Sequence, residues 1–259
     1  MLTHILRLGV SERQKFRCRR EPTRLDQDSV QQIVDRADLL YLAREDIKNV
    51  RECVELLRST PDEVNCFEIA WRLGRAFFFL GQEEQEAGTT HQLHARGVDA
   101  GRRAVQARPE RVEGHFWIGV NLALLARVAP PLKAIEHARQ AKRALNRAVT
   151  TDPAYHAAGP LRALARLQHK APRWLGGDTV RARENYERAI DLAANNTVTR
   201  IYFAELLLEI AETESARAQL EAVISAPFDR AWAFEIERDR KIARELLKNR
   251  SEKITEQML

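Results

Sequence analysis

The chain has 259 residues, 31% of them charged and 44% hydrophobic, with a formal net charge of +5. That length buries a sizeable core in one large domain or two small ones, and the balance of charged and apolar residues excludes both a disordered chain and a membrane-spanning one. Glycine and proline together number only 20, about 8% against a usual share of roughly 12%. With abundant Ala, Leu, Arg and Glu, this points to an all-α protein. The longest run free of Asp, Glu, Lys and Arg spans 13 residues, Gly114 to Ala126, and a spanning helix needs about 20 apolar residues.

The charge is unevenly placed. Residues 1–24 hold seven basic side chains, from Arg7 to Arg24, and two acids, so the rest of the chain is neutral. Residues 1–27 therefore read as a basic N-terminal arm on a neutral body. Nucleic-acid binding is not expected, because it requires a basic surface on the fold itself.

Residues 28–59 read as a helical hairpin, Asp28–Arg44 followed by Glu45–Leu57, that packs on the array after it. Its second helix carries Ile47, Val50, Cys53, Val54 and Leu57 on one stripe. Thr60-Pro61-Asp62-Glu63 is a helix start: a hydroxyl cap, a proline at the first helical position and an acid three residues after the cap.

Residues 60–228 contain an internal repeat, and a period of tens of residues decides the fold. Trp71–Phe77 and Phe116–Leu122 align on Gly74 and Gly119; Pro160–Arg166 and Ile201–Leu207 extend the alignment through Ala163 and Ala204. A second series follows each segment: Gly97, Gly101 and Ala104; Ala141, Leu145 and Ala148; Ala182, Tyr186 and Ala189; Ala216, Leu220 and Val223. Pro109, Pro153 and Pro227 end three of these. This is the tetratricopeptide pattern, in which small residues let two antiparallel helices approach and a large one fills the groove between them. The expected fold is a superhelical array of four antiparallel helix pairs with expanded repeats. In the last repeat nine residues separate Leu207 from Ala216, whereas the equivalent gaps in the first three are 20, 19 and 16. Longer helices or an extra turn would absorb the excess. Residues 229–259 read as a C-terminal capping helix and tail, with Ile242, Ala243, Leu246 and Leu247 inward and Arg240, Lys241, Glu245 and Lys248 outward.

Several runs recur as a set: Ala70-Trp71-Arg72-Leu73-Gly74-Arg75-Ala76, Gly114-His115-Phe116-Trp117, Pro172-Arg173-Trp174-Leu175-Gly176-Gly177-Asp178, and Asp239-Arg240 before Ala243 and Leu246-Leu247. Over roughly Ala37 to Leu247 the chain resembles the TatT-type proteins, the tetratricopeptide component found beside TRAP-type solute transporters in bacteria. It is more distantly similar to the regulator of microtubule dynamics proteins. The resemblance implies a helical array, often trimeric, with an apolar cavity or channel, exported and sometimes lipid-anchored. The N-terminus shows no apolar signal region followed by a small-residue cleavage site. As written, the sequence reads as cytoplasmic, and as periplasmic if a leader precedes it.

No catalytic constellation emerges, so no enzyme activity and no cofactor are expected. Cys18, Cys53 and Cys66 lack metal-ligand spacing and are odd in number. His91 and His94 lie three apart without a partner motif for zinc, and no metal is expected; His115 and His156 open successive first helices. Gly176-Gly177-Asp178 lacks the Gly-Lys-Ser/Thr ending of a phosphate loop, and Asp178 reads as a helix N-cap. First helices line the concave face of such an array. The expected binding residues are Trp71, Arg75 and Phe78; Phe116, Val120 and Asn121; Leu164; and Ile201 and Glu205, with Ala123, Leu167 and Leu208 beside them. This surface suits an apolar ligand oriented by Arg75, Asn121 and Glu205, with Arg75 taking a carboxylate in two parallel hydrogen bonds. The function that follows is a non-enzymatic interaction protein. It would bind a protein partner, such as the solute-binding receptor of a transporter, and a hydrophobic or organic-acid solute. The alternative is a cytoplasmic scaffold without a small-molecule ligand.

Overall fold

The computed structural model describes residues 27–59 and 67–258. The basic arm, Cys18, Cys66 and the Thr60–Glu63 helix start lie outside the described residues. Within them eleven α-helices succeed one another. Helices α1 (Gln27–Leu42) and α2 (Ile47–Arg58) form the hairpin. The pairs follow as α3 (Phe67–Glu83) with α4 (Ala87–Ala107), α5 (Val112–Val128) with α6 (Pro131–Thr151), α7 (Tyr155–Lys170) with α8 (Thr179–Leu192), and α9 (Thr197–Glu209) with α10 (Thr213–Ile224). Helix α11 (Ala233–Met258) closes the array. Among the described residues, no helix is long and apolar enough to cross a membrane.

The repeat markers stand where the helices touch. A Cβ added to Gly74 would lie 3.1 Å from the Trp117 Cβ and 3.5 Å from the Gly97 carbonyl oxygen, so α3 presses on both α4 and α5 there. At Gly119 the same atom would come within 2.7 Å of the Leu145 side chain. The small, large and small residues of α6, α8 and α10 are buried as the pattern requires.

One register differs from the expectation. Ala163 is half-buried, and Ala165 takes the marker position: it packs on Ala182 and Tyr186, while Leu161 packs on Ala189 as Ala70 does on Ala104. The cause lies at the start of α7. His156, Ala157 and Ala158 form a left-handed turn (φ 52°, 52° and 57°), which displaces the right-handed helix.

The expanded repeats are built in two ways. Helices α4 and α6 are each 21 residues long, so their excess is added helix. Between α7 and α8 it forms a short 3₁₀ turn, Arg173–Leu175, followed by Gly176 at φ +91°. Gly177 is obligatory, since its Cβ would sit 1.8 Å from the Ala171 carbonyl oxygen. Asp178 caps α8, accepting from the Arg181 N–H at 3.0 Å.

The hairpin packs on the array through a core that includes Val50, Cys53, Val54 and Leu57 with Leu73 and Phe77. Burial pushes the Cys53 thiol up to about 11, leaving it a small hydrophobe at neutral pH. At the far end, Ala243 packs on Ile201, Ala204, Leu220 and Val223, covering the last pair. Arg240 is not on the outer face as expected; it turns inward to donate to the Ala226 carbonyl at 2.7 Å. The first turns of α11 do more than cap. Phe234 meets Phe79 at 5.3 Å between ring centroids, and Arg44 donates from Nε to Glu235 at 3.1 Å and from Nη2 to the Ala231 carbonyl at 2.6 Å. The two ends of the array therefore meet.

Overpacking a helix contact is destabilising by about 1–3 kcal/mol. Gly119→Val, which drives a branched side chain into Leu145, is expected to lower stability by about that amount in urea unfolding. A variant as stable as the parent would mean that α5 and α6 are not in close contact at this point.

Candidate functional site

The inner helices border a half-open cavity of about 600 Å³. Phe78 and Phe79 come from α3, Phe116, Trp117 and Val120 from α5, and Gly159, Arg162, Ala163 and Arg166 from α7. Tyr41 borders one side, Tyr202 of α9 another, and the end is bordered by Trp232, in the short turn before α11, with Glu235 and Arg238 of the first turns of α11.

One wall is a nest of rings. His156 stands 4.8 Å from Trp232, 5.3 Å from Trp117 and 5.7 Å from Phe116, all in tilted or edge contacts. Such geometry suits the quadrupoles of aromatic faces and edges. Behind it the Trp117 Nε1–H donates to the Tyr155 hydroxyl at 3.1 Å. Burial pushes that hydroxyl above its ordinary value, so it stays protonated at neutral pH. His156 reaches the cavity because of the left-handed turn, a conformation that costs an L-residue about 1–2 kcal/mol. Arg162 supports the turn, donating from Nη1 to the Ala157 carbonyl at 2.8 Å and from Nη2 to that of His156 at 3.5 Å. Burial and the Arg162 charge hold the His156 imidazole well below its usual value, so the ring is neutral at pH 7.

The sequence profile of the TRAP transporter T-component matches residues 70–253. The chain belongs to the TRAP transporter T-component family. The hairpin α1–α2 precedes the matched stretch, which takes in both the aromatic wall and the first turns of α11. No curated protein matches the chain. Among solved structures it is similar to a thermophilic TPR protein from Thermus thermophilus (TM-score 0.61, 20% identity, 81% of this chain and 97% of that one). It is also similar to MamA (TM-score 0.47, 14% identity, 77% of this chain and 95% of that one). The first of these likenesses supports the tetratricopeptide-like fold.

Within this T-component fold the sequence-derived site residues separate into groups. Phe78, Phe116 and Val120 line the cavity together, as do Ala123 and Leu167. Leu164 and Ile201 are core residues instead. Leu164 packs with Phe116 and Trp117, and Ile201 with Ala204 and Ala243. Asn121 is wholly buried and structural: it donates to the Gly74 carbonyl at 3.1 Å and the Trp117 carbonyl at 2.8 Å, and its Oδ1 lies 3.0 Å from His94 Nδ1. Trp71 donates to Glu68 at 3.0 Å away from the cavity.

Arg75 does not line the cavity and faces Asp38 instead. Its guanidinium lies 3.9 Å from the Tyr41 ring centroid and donates to Asp38 at 2.6 Å. Burial alone would raise the Asp38 carboxyl, but the hydrogen bond from Arg72 and the charges of Arg75 and Arg72 outweigh it and hold the group below its ordinary value. Glu205 is likewise engaged, accepting from Arg166 at 2.6 Å.

Arg162, Arg166 and Trp232 also line the cavity and were not among the residues expected from the sequence. The two-residue register shift in α7 moves Arg166 to the place that Arg75 holds in α3 and Glu205 in α9. That shift was not readable without knowing that His156 begins a left-handed turn. Trp232 lies 76 residues beyond His156 in sequence, in a segment whose place at the end of the cavity no local pattern announces.

Two expectations follow. In an ordinary helix Ala→Gly costs about 1 kcal/mol. At Ala157 the left-handed backbone reverses the sign, so Ala157→Gly should raise stability, by up to about 1 kcal/mol in urea unfolding. A loss of stability would contradict the turn. The second concerns pH. His94, His137, His156 and His169 are all held below the ordinary imidazole value of 6.5, chiefly by burial. Between the folded and unfolded values the unfolded chain binds more protons. The stability these groups contribute is therefore complete above about pH 6.5 and declines as the pH falls below it. Unfolding free energy should drop between about pH 7 and pH 5, and His156→Phe, which keeps a ring in the wall, should remove part of that slope.

Proposed function

We propose that this T-component binds a hydrophobic or organic-acid solute in its cavity and docks a protein partner, the solute-binding receptor of a TRAP-type transporter. The observation that carries this reading is the half-open, aromatic-walled cavity itself. At about 600 Å³ it falls within the roughly 300–1,000 Å³ typical of small-molecule sites, and it sits on the inner face of an array in a family named for a transporter. The role is one of holding and release, without bond-making chemistry. A trimer and a periplasmic location fit this reading, as the resemblance to TatT-type proteins implies. Leu132 at the start of α6 and Trp174 in the turn packed against α6 are both largely exposed, and they supply apolar surface of the kind a partner covers.

Native mass spectrometry of the purified chain should report the subunit number together with any apolar molecule that co-purifies. Ala163→Trp, which fills the cavity from a half-buried position, is expected to reduce the co-purified ligand at least about tenfold while circular dichroism shows the same helicity. Retention of ligand by this variant would remove the cavity from the proposal. Sedimentation with a purified TRAP receptor from the same genome tests the partner, and an unchanged sedimentation coefficient would argue against it.

A further inference from the structure

The inner wall carries several cations, and almost every one is matched by an acid. Arg166 meets Glu205 at 2.6 Å, Arg238 meets Asp239 at 2.8 Å, Lys170 meets Glu209, and Arg44 meets Glu235. Arg127 and Glu83 both stand exposed at the rim.

Arg162 breaks the pattern. It is only 7% exposed and lines the cavity, yet every acceptor it meets is neutral. Nη1 serves the Ala157 carbonyl at 2.8 Å, Asn196 Oδ1 at 3.2 Å and Thr199 Oγ1 at 3.5 Å. Nη2 has one long contact, to the His156 carbonyl at 3.5 Å, and Nε makes no hydrogen bond among the described residues. Glu235 and Asp239, the acids that act on it from a distance, are held by Arg44 and Arg238. Burial accordingly draws the guanidinium down to about 10, and it remains charged at neutral pH. A buried cation without a counter-charge is costly. The Nε–Nη2 edge left over is the one that takes a carboxylate in two parallel hydrogen bonds. Trp232 lies 5.5 Å from this guanidinium and leads directly into the aromatic wall.

We infer that Arg162 is the anion anchor of the cavity, and that the ligand is a monocarboxylate whose head meets Arg162 while its apolar body lies among Trp232, His156 and Phe116. One unmatched positive charge calls for one negative charge, so a monoanion fits better than a dianion. This inference rests on the reading of the cavity as a solute site and adds the head group to it. It also moves the carboxylate-binding role from Arg75, which faces Asp38, to Arg162.

The test uses two matched pairs of probes on the purified full chain at neutral pH, followed by calorimetry. The pairs are decanoate against decan-1-ol, and 1-naphthylacetate against 1-naphthylacetamide. They separate an alkyl body from a ring, and each replaces the carboxylate by a neutral polar head. The acid should bind at least about tenfold more tightly than its neutral partner in one pair or both. Arg162→Gln should bring the partners to parity, and Arg162→Lys should retain a preference for the acid. Because Arg162 also supports the left-handed turn, the comparison on the unaltered chain decides the matter without any variant. Equal affinities within each pair that binds would overturn the anchor and leave the cavity standing as a solute site. Failure of all four probes to bind would overturn both.

Discussion

Arg44 and Glu235 meet across 191 residues of sequence, and their contact joins the two ends of a row of helix pairs. A stack of such pairs contacts only its neighbours and is open along its inner face. Here the hairpin at one end and the start of α11 at the other are joined by two hydrogen bonds between a guanidinium and a carboxylate, with a third to the Ala231 carbonyl. A buried pair of this kind adds little net stability, because desolvation offsets the attraction, but losing one partner costs about 3–5 kcal/mol. Its contribution is therefore geometrical. It selects the arrangement in which Tyr41, Trp232 and Glu235 all face the same space.

Charge is handled in two ways in and around this space. Next to the hairpin, Asp38 gathers Arg72 and Arg75 into one network, with Arg75 also lying over the Tyr41 ring. These groups fix α1 against α3 and do not line the cavity. On the cavity wall Arg162 is surrounded by carbonyls, an amide and a hydroxyl. The first arrangement holds the scaffold together, whereas the second leaves a positive potential in an apolar chamber.

The all-α fold and its pairs were legible because close helix approach dictates which residue types can stand at a crossing. Gly74, Gly119 and Ala204 cannot be large, and the spacing from each to the following small–large–small series reflects the length of a helical hairpin. The α7 register was not legible, because three consecutive left-handed residues at His156–Ala158 have no signature in a chain where none of them is glycine. The site suffered most where it depends on partners distant in sequence. Arg75 looks available until Asp38, 37 residues earlier, is placed against it. Asn121 looks like a groove residue until its amide is found spanning the carbonyls of Gly74 and Trp117. The place of Phe78, Phe116 and Val120 on the inner wall was readable because their helices are regular and their neighbours local.

Helix α11 has two duties that cannot be separated. Its first turns supply Glu235 and Arg238 to the chamber, and the same rod further on lays Ala243 over Ile201, Ala204 and Leu220. Door and roof hang on one hinge. Any opening that swings the whole of α11 away to admit a guest also strips the cover from the last repeat, and so exposes apolar surface to water. A guest entering there gains passage only while that surface is bare, unless the helix bends between Asp239 and Ala243.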